Sequence, residues 1–172
     1  MTKLARALCS LSLLLCLVAP AHSQEPGATA GTQGVSEFLK SAHSSALMQL
    51  KAAEIAAARD IRPEAKQFAQ EMTAFRKSQL QRIEAFAAQN NATLPKELAF
   101  EQQVLIDNLV PLDFLALSRR YAEVQVQALE QEANAYQAAA GNTALAALTG
   151  EYMPLLRERL DGARKVAEAV GP

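Results

Sequence analysis

The 172-residue chain has no tryptophan, two cysteines and two histidines. Both cysteines, Cys9 and Cys16, and one histidine, His22, lie in the first 23 residues. Beyond that point no disulfide, thiol nucleophile or thiolate ligand is available, and His43 is the one imidazole. A di-iron bundle site takes two Glu-x-x-His motifs on facing helices. No Glu-x-x-His occurs here. Ser44, Ser45 and Ser118 have no histidine signature beside them for nucleophilic catalysis. There is no glycine-rich phosphate loop, and no long basic run to lay an electrostatic footprint for nucleic acid. No catalytic, cofactor-binding or metal-binding residue is therefore assigned, and no cofactor is expected.

The first 23 residues have their own logic. Lys3 and Arg6 precede an apolar run from Ala7 to Val18, followed by Ala21-His22-Ser23. This is the pattern of a secretory signal peptide over residues 1–23, with cleavage expected after Ser23. The run falls short of the ~20 apolar residues that span a bilayer. Leu15 before Cys16 argues against a lipoprotein. The expected product is periplasmic or exported, with no transmembrane helix after signal removal. Of 17 Lys and Arg, Lys3 and Arg6 leave with the signal; 15 remain against 18 Asp and Glu, a net charge of −3.

Residues 24–34 are rich in Gly, Ala and Thr and carry too little apolar surface to order themselves; they read as a flexible linker. From 35 to 170 the apolar spacing is helical throughout. A first helix is expected from Ser36, with Leu39, His43, Ala46, Leu50, Ala53 and Ala57 on one face. Its alanines suggest close helix approach and a partner groove. A second runs from Pro63 to about Asn90, with Phe68, Met72, Phe75, Gln79, Ile83 and Phe86 in register. Asn90-Asn91 suits a left-handed helix end. Leu98, Gln102, Leu105 and Leu109 space a shorter helix, expected to strap the bundle end. A long central helix is expected between Pro111 and Gly141, and a fourth beyond Thr143, continuing through Pro154 with a kink. The expectation is an all-α fold: an up-down four-helix bundle with a short crossing helix between bundle helices 2 and 3.

The interior is expected to be packed Ala, Leu and Phe. Glu54, Glu84, Glu123, Glu130 and Glu132 fit a solvated face; His43 fits the core edge or the surface, not a ligand position. Arg119-Arg120 and Arg157-Glu158-Arg159 read as surface charge. Gln125, Gln127, Gln131 and Gln137 either bridge helices or solvate the central one.

On these landmarks the chain resembles the exported bacterial family called domain of unknown function 4142. The residues that carry the resemblance are Phe38-Leu39, Pro63, Lys66-Gln67-Phe68-Ala69, Met72, Thr93-Leu94-Pro95, Tyr121, Pro154 and Leu156-Arg157-Glu158-Arg159-Leu160. The resemblance implies a ferritin-like fold, export and an outer-membrane association. It also exposes departures. Phe75-Arg76, Leu129-Glu130 and Arg159 stand where relatives carry histidines, and Gln49 and Lys51 fall near their first-helix glutamates. Arginine cannot give up its proton to become a ligand. The functional expectation is a non-catalytic binding or structural module with an unidentified protein or cell-envelope partner. The alternative is a ferritin-like metal or redox protein using Glu54, Glu84 and Glu130.

Overall fold

The computed structural model describes residues 26–59 and 62–171, so the expected signal peptide lies outside the described residues. Among the described residues the regular structure is helical throughout: α1 Pro26–Arg59, α2 Pro63–Gln89, α3 Phe100–Leu109, α4 Phe114–Ala139 and α5 Ala146–Val170. The described residues form an all-α helical bundle of four long helices and one short one.

Contacts across the bundle fix the directions. His43 faces Glu84 while Glu54 faces Lys77, so α1 and α2 are antiparallel. Phe38 meets Tyr136 and Arg59 meets Asp113, so α1 and α4 are antiparallel. Arg62 reaches the Ala169 carbonyl while Arg82 reaches Glu151, so α2 and α5 are antiparallel. It follows that α2 and α4 run the same way. The chain must then return the length of the bundle between them. α3 does this lying along α1, tied by Ser44 to Gln102 (2.6 Å) at one end and by Arg59 to the Leu112 carbonyl (2.9 Å) at the other. The strap is therefore lengthwise, spanning 15 residues of α1 or ~22 Å at 1.5 Å per residue, and does not cross the bundle end.

Several boundaries differ from the sequence expectation. α1 begins at Pro26, ten residues before Ser36, through the stretch read as a linker. Proline suits a first helical turn, and extending a packed helix backward needs no new nucleus. α4 opens at Phe114 instead of Pro111, because Asp113 is extended (φ −129, ψ 162). Arg59 holds that turn through the Val110 and Leu112 carbonyls and the Asp113 carboxylate. Asn91 takes the left-handed conformation expected of it (φ 52), whereas Gly141 does not. α5 passes through Pro154 as one helix. Pro154 and Gly150 are both exposed, so the carbonyl that proline leaves unpaired can turn to water.

The core is aliphatic over most of its length. Leu39, Leu109, Leu117, Leu129, Leu148 and Leu156 are fully buried, each worth roughly 1.5–3 kcal/mol of transfer free energy. The alanine face of α1 is used inside: Ala42, Ala46, Ala52, Ala53 and Ala56 are all buried. Ala46, Ala52, Ala53 and Ala56, on which a partner groove was expected, are therefore covered by the bundle itself.

Candidate functional site: a buried ion pair and amide network

The middle of the bundle is not aliphatic. Gln49 from α1, Arg76 and Gln79 from α2, and Glu132 from α4 converge there, each 4% exposed or less. The expectation of an interior made only of Ala, Leu and Phe is corrected at this level. Ser45/Gln49, Arg76/Gln79 and Glu132/Tyr136 are three- or four-residue pairs, so each helix turns two polar groups to the same side.

Glu132 is the hub. Its Oε1 accepts from Arg76 Nη1 (3.0 Å) and Gln79 Nε2 (2.8 Å). Its Oε2 accepts from Gln49 Nε2 (2.9 Å), lies 2.9 Å from Arg76 Nη1, and receives the Ser45 hydroxyl at 3.5 Å. Arg76 also donates from Nη2 to Gln49 Oε1 (2.5 Å) and from Nη1 to Gln79 Oε1. Gln79 Nε2 further reaches the Tyr136 hydroxyl (3.2 Å). Gln49 Nε2 also donates to Ser45 Oγ (3.0 Å), and Gln125 Nε2 donates to the Gln49 carbonyl (3.3 Å). Two atoms are left without partners, Arg76 Nε and Gln125 Oε1.

Burial is completed by aromatic rings. Phe38 stands edge-on to Tyr136 (5.0 Å between centroids), Tyr136 meets Tyr152 (6.4 Å), and Tyr152 meets Phe75 (6.2 Å). The Phe75 ring lies 5.0 Å from Arg76 Cζ and 5.5 Å from Arg159 Cζ, within cation–π range. Burial, then the neighbouring Glu132 charge, hold the Tyr136 hydroxyl well above the ordinary phenol range. Burial and Glu151 raise Tyr152 as well.

The carboxylates named in the sequence are not assembled. Glu54 pairs with Lys77 (3.1 Å), Glu123 with Arg120 (3.0 Å) and Glu130 with Arg164 (2.8 Å), all at the surface. Exposed Glu84 lies 3.6 Å from His43, which is 7% exposed at the core edge. Glu132 was read as solvated and is instead buried; it falls three residues after Leu129 and four before Tyr136, on the core stripe. Of the α4 amides, Gln125 bridges helices, Gln127 and Gln131 are exposed, and Gln137 accepts from Arg157 at the surface. Arg119 is half-buried against the Val170 carbonyl, and Arg159 pairs with Glu71 (3.3 Å).

The donor set does not suit a metal ion of the kind ferritin-like bundles hold. Glu132 is the one carboxylate in it, and N–H donors already engage both its oxygens. The arginine brings a permanent positive charge to the same spot. No group of three or more His, Cys, Asp or Glu with metal-ligand proximity exists among the described residues.

No curated protein and no solved structure matches the chain. The family model described as domain of unknown function (DUF4142) matches residues 19–166, a span that includes every member of the buried network. The chain thus belongs to the DUF4142 family.

Proposed function

We propose that the chain is an exported, non-catalytic bundle that binds or scaffolds. The observation that carries this reading is the Arg76–Glu132 pair. Its guanidinium is held by side chains of α1, α2 and α4 as an internal cation, and hydrogen bonds saturate the carboxylate it neutralises. A site so satisfied has no open coordination position and no activated nucleophile. The single lengthwise crossover is the connectivity of ferritin-like bundles, so the module reads as a ferritin-like scaffold with an ion pair at mid-height. Residues 1–23 support export, and no described helix is long and apolar enough to cross a membrane.

Protein purified from the cell envelope fraction tests the reading by elemental analysis and intact mass. Far less than one metal per chain, with an N-terminus at Gln24, supports it. Stoichiometric iron or manganese overturns it in favour of a metal or redox role. Fractionation with a salt wash then tests outer-membrane association, which a wholly soluble pool excludes.

A further inference from the structure

A second feature lies beside the network. Between α1, the strap α3 and α4 is a cleft of about 360 Å³, at the small end of the roughly 300–1,000 Å³ typical of ligand sites. Phe38, Met48 and Leu105 give it an apolar body, and Ser45 and Glu132 form part of its polar wall. Glu101 stands on the strap side. Among the described residues no Lys, Arg or His lines it.

The two carboxylates differ in what they can offer. Glu132 is balanced by Arg76 and its lone pairs are taken. Glu101 is exposed and has no ion-pair partner among the described residues. An anion would meet uncompensated negative charge here, while a cation would meet a free carboxylate and aromatic walls that favour it.

We propose that this cleft binds a small organic cation, its ammonium group against Glu101 and a compact apolar body against Phe38, Met48 and Leu105. The proposal names a ligand class for the binding-module reading and rests on it. Its failure would leave the metal analysis above untouched, so the two can fail separately.

Isothermal titration with phenethylamine, phenethyl alcohol and phenylacetate compares probes of similar size and different charge. The amine is expected to bind with a dissociation constant on the order of 0.1–1 mM. The alcohol should bind about tenfold more weakly, and the acid not at all. E101Q should weaken the amine about threefold, the scale of an exposed ion pair, and leave the alcohol unchanged. Ala135 is exposed at the cleft, so A135F should fill the mouth without entering the core and abolish both. Equal affinity for amine and acid, amine binding that survives A135F, or no amine binding at about ten times the expected constant overturns the proposal.

Discussion

Replacing Arg76 with methionine keeps most of the side-chain volume and removes the charge. Glu132 is then left inside the bundle without its counter-charge, with only amide and hydroxyl donors, and the side-chain amide oxygens of Gln49 and Gln79 each lose a donor. Breaking one side of a buried ion pair costs about 3–5 kcal/mol. For a domain of this size that is a fall in melting temperature of roughly 10–20 °C. E132L should cost a comparable amount, because the guanidinium then stays buried without its counter-charge. In R76M/E132L both charges leave together. What remains is the orphaned amide chemistry of Gln49 and Gln79, about 1–3 kcal/mol. The double variant should therefore be more stable than either single one, with a coupling of at least about 3 kcal/mol. Urea denaturation followed by circular dichroism measures all four corners of the cycle. Losses that simply add, or single variants costing under about 1 kcal/mol, would refute the assignment of Arg76 and Glu132 as a buried pair.

The remaining predictions concern single positions. The raised Tyr136 hydroxyl contributes stability that is complete below the unfolded phenol value of about 10 and declines above it, at up to 1.4 kcal/mol per pH unit. Alkaline absorbance titration should show Tyr136 ionising only as helicity is lost, and Y136F should flatten the decline; normal titration in the folded state would contradict this. Gly150 has open space around it, so G150A should stabilise α5 by about 0.5–1 kcal/mol. At Gly162 an added methyl meets Phe68 Cε2 at 3.0 Å in the core, so G162A should gain less or lose stability. Thermal melts of the two variants side by side check the contrast. Phe114 is exposed and left-handed (φ 50), so F114G should gain stability from relief of about 1–2 kcal/mol of backbone strain, read by the same melts.

What the sequence made legible follows from which interactions are local. Helix number and type rest on spacing within a few residues, and Pro63, Asn91 and the run through Pro154 could be placed from local chemistry alone. The start of α4 could not, because Arg59, 54 residues before Asp113, holds that turn. The direction of the strap was hidden for a similar reason: it depends on α2 and α4 running parallel, which no short-range pattern encodes. The polar centre was half visible. Gln79 was read on the core stripe of α2, and Arg76 was noted only as a departure from relatives. Neither could be given a partner while Glu132 was assigned to the solvated side of α4. A charged residue spaced among Leu129 and Tyr136 was the available signal, and its meaning depended on a countercharge 56 residues earlier.

The network also answers a problem that the rest of the core creates. Small alanine faces and repeated leucines fit one another in more than one register, since a slide of one turn replaces like with like. A charge pair with directional amide partners does not tolerate that slide. One turn moves a residue ~5.4 Å along the axis, which would carry Glu132 out of reach of Arg76, Gln79 and Gln49 together. A misregistered bundle would bury these groups unpaired, and that penalty is large against a net stability of about 5–15 kcal/mol. The ion pair thus contributes less to the stability of the correct bundle than to the instability of incorrect ones. The double variant separates these roles: a loss of no more than the about 1–3 kcal/mol of the orphaned amides, with stronger binding of a hydrophobic dye, would show helices still packed but no longer held to one alignment.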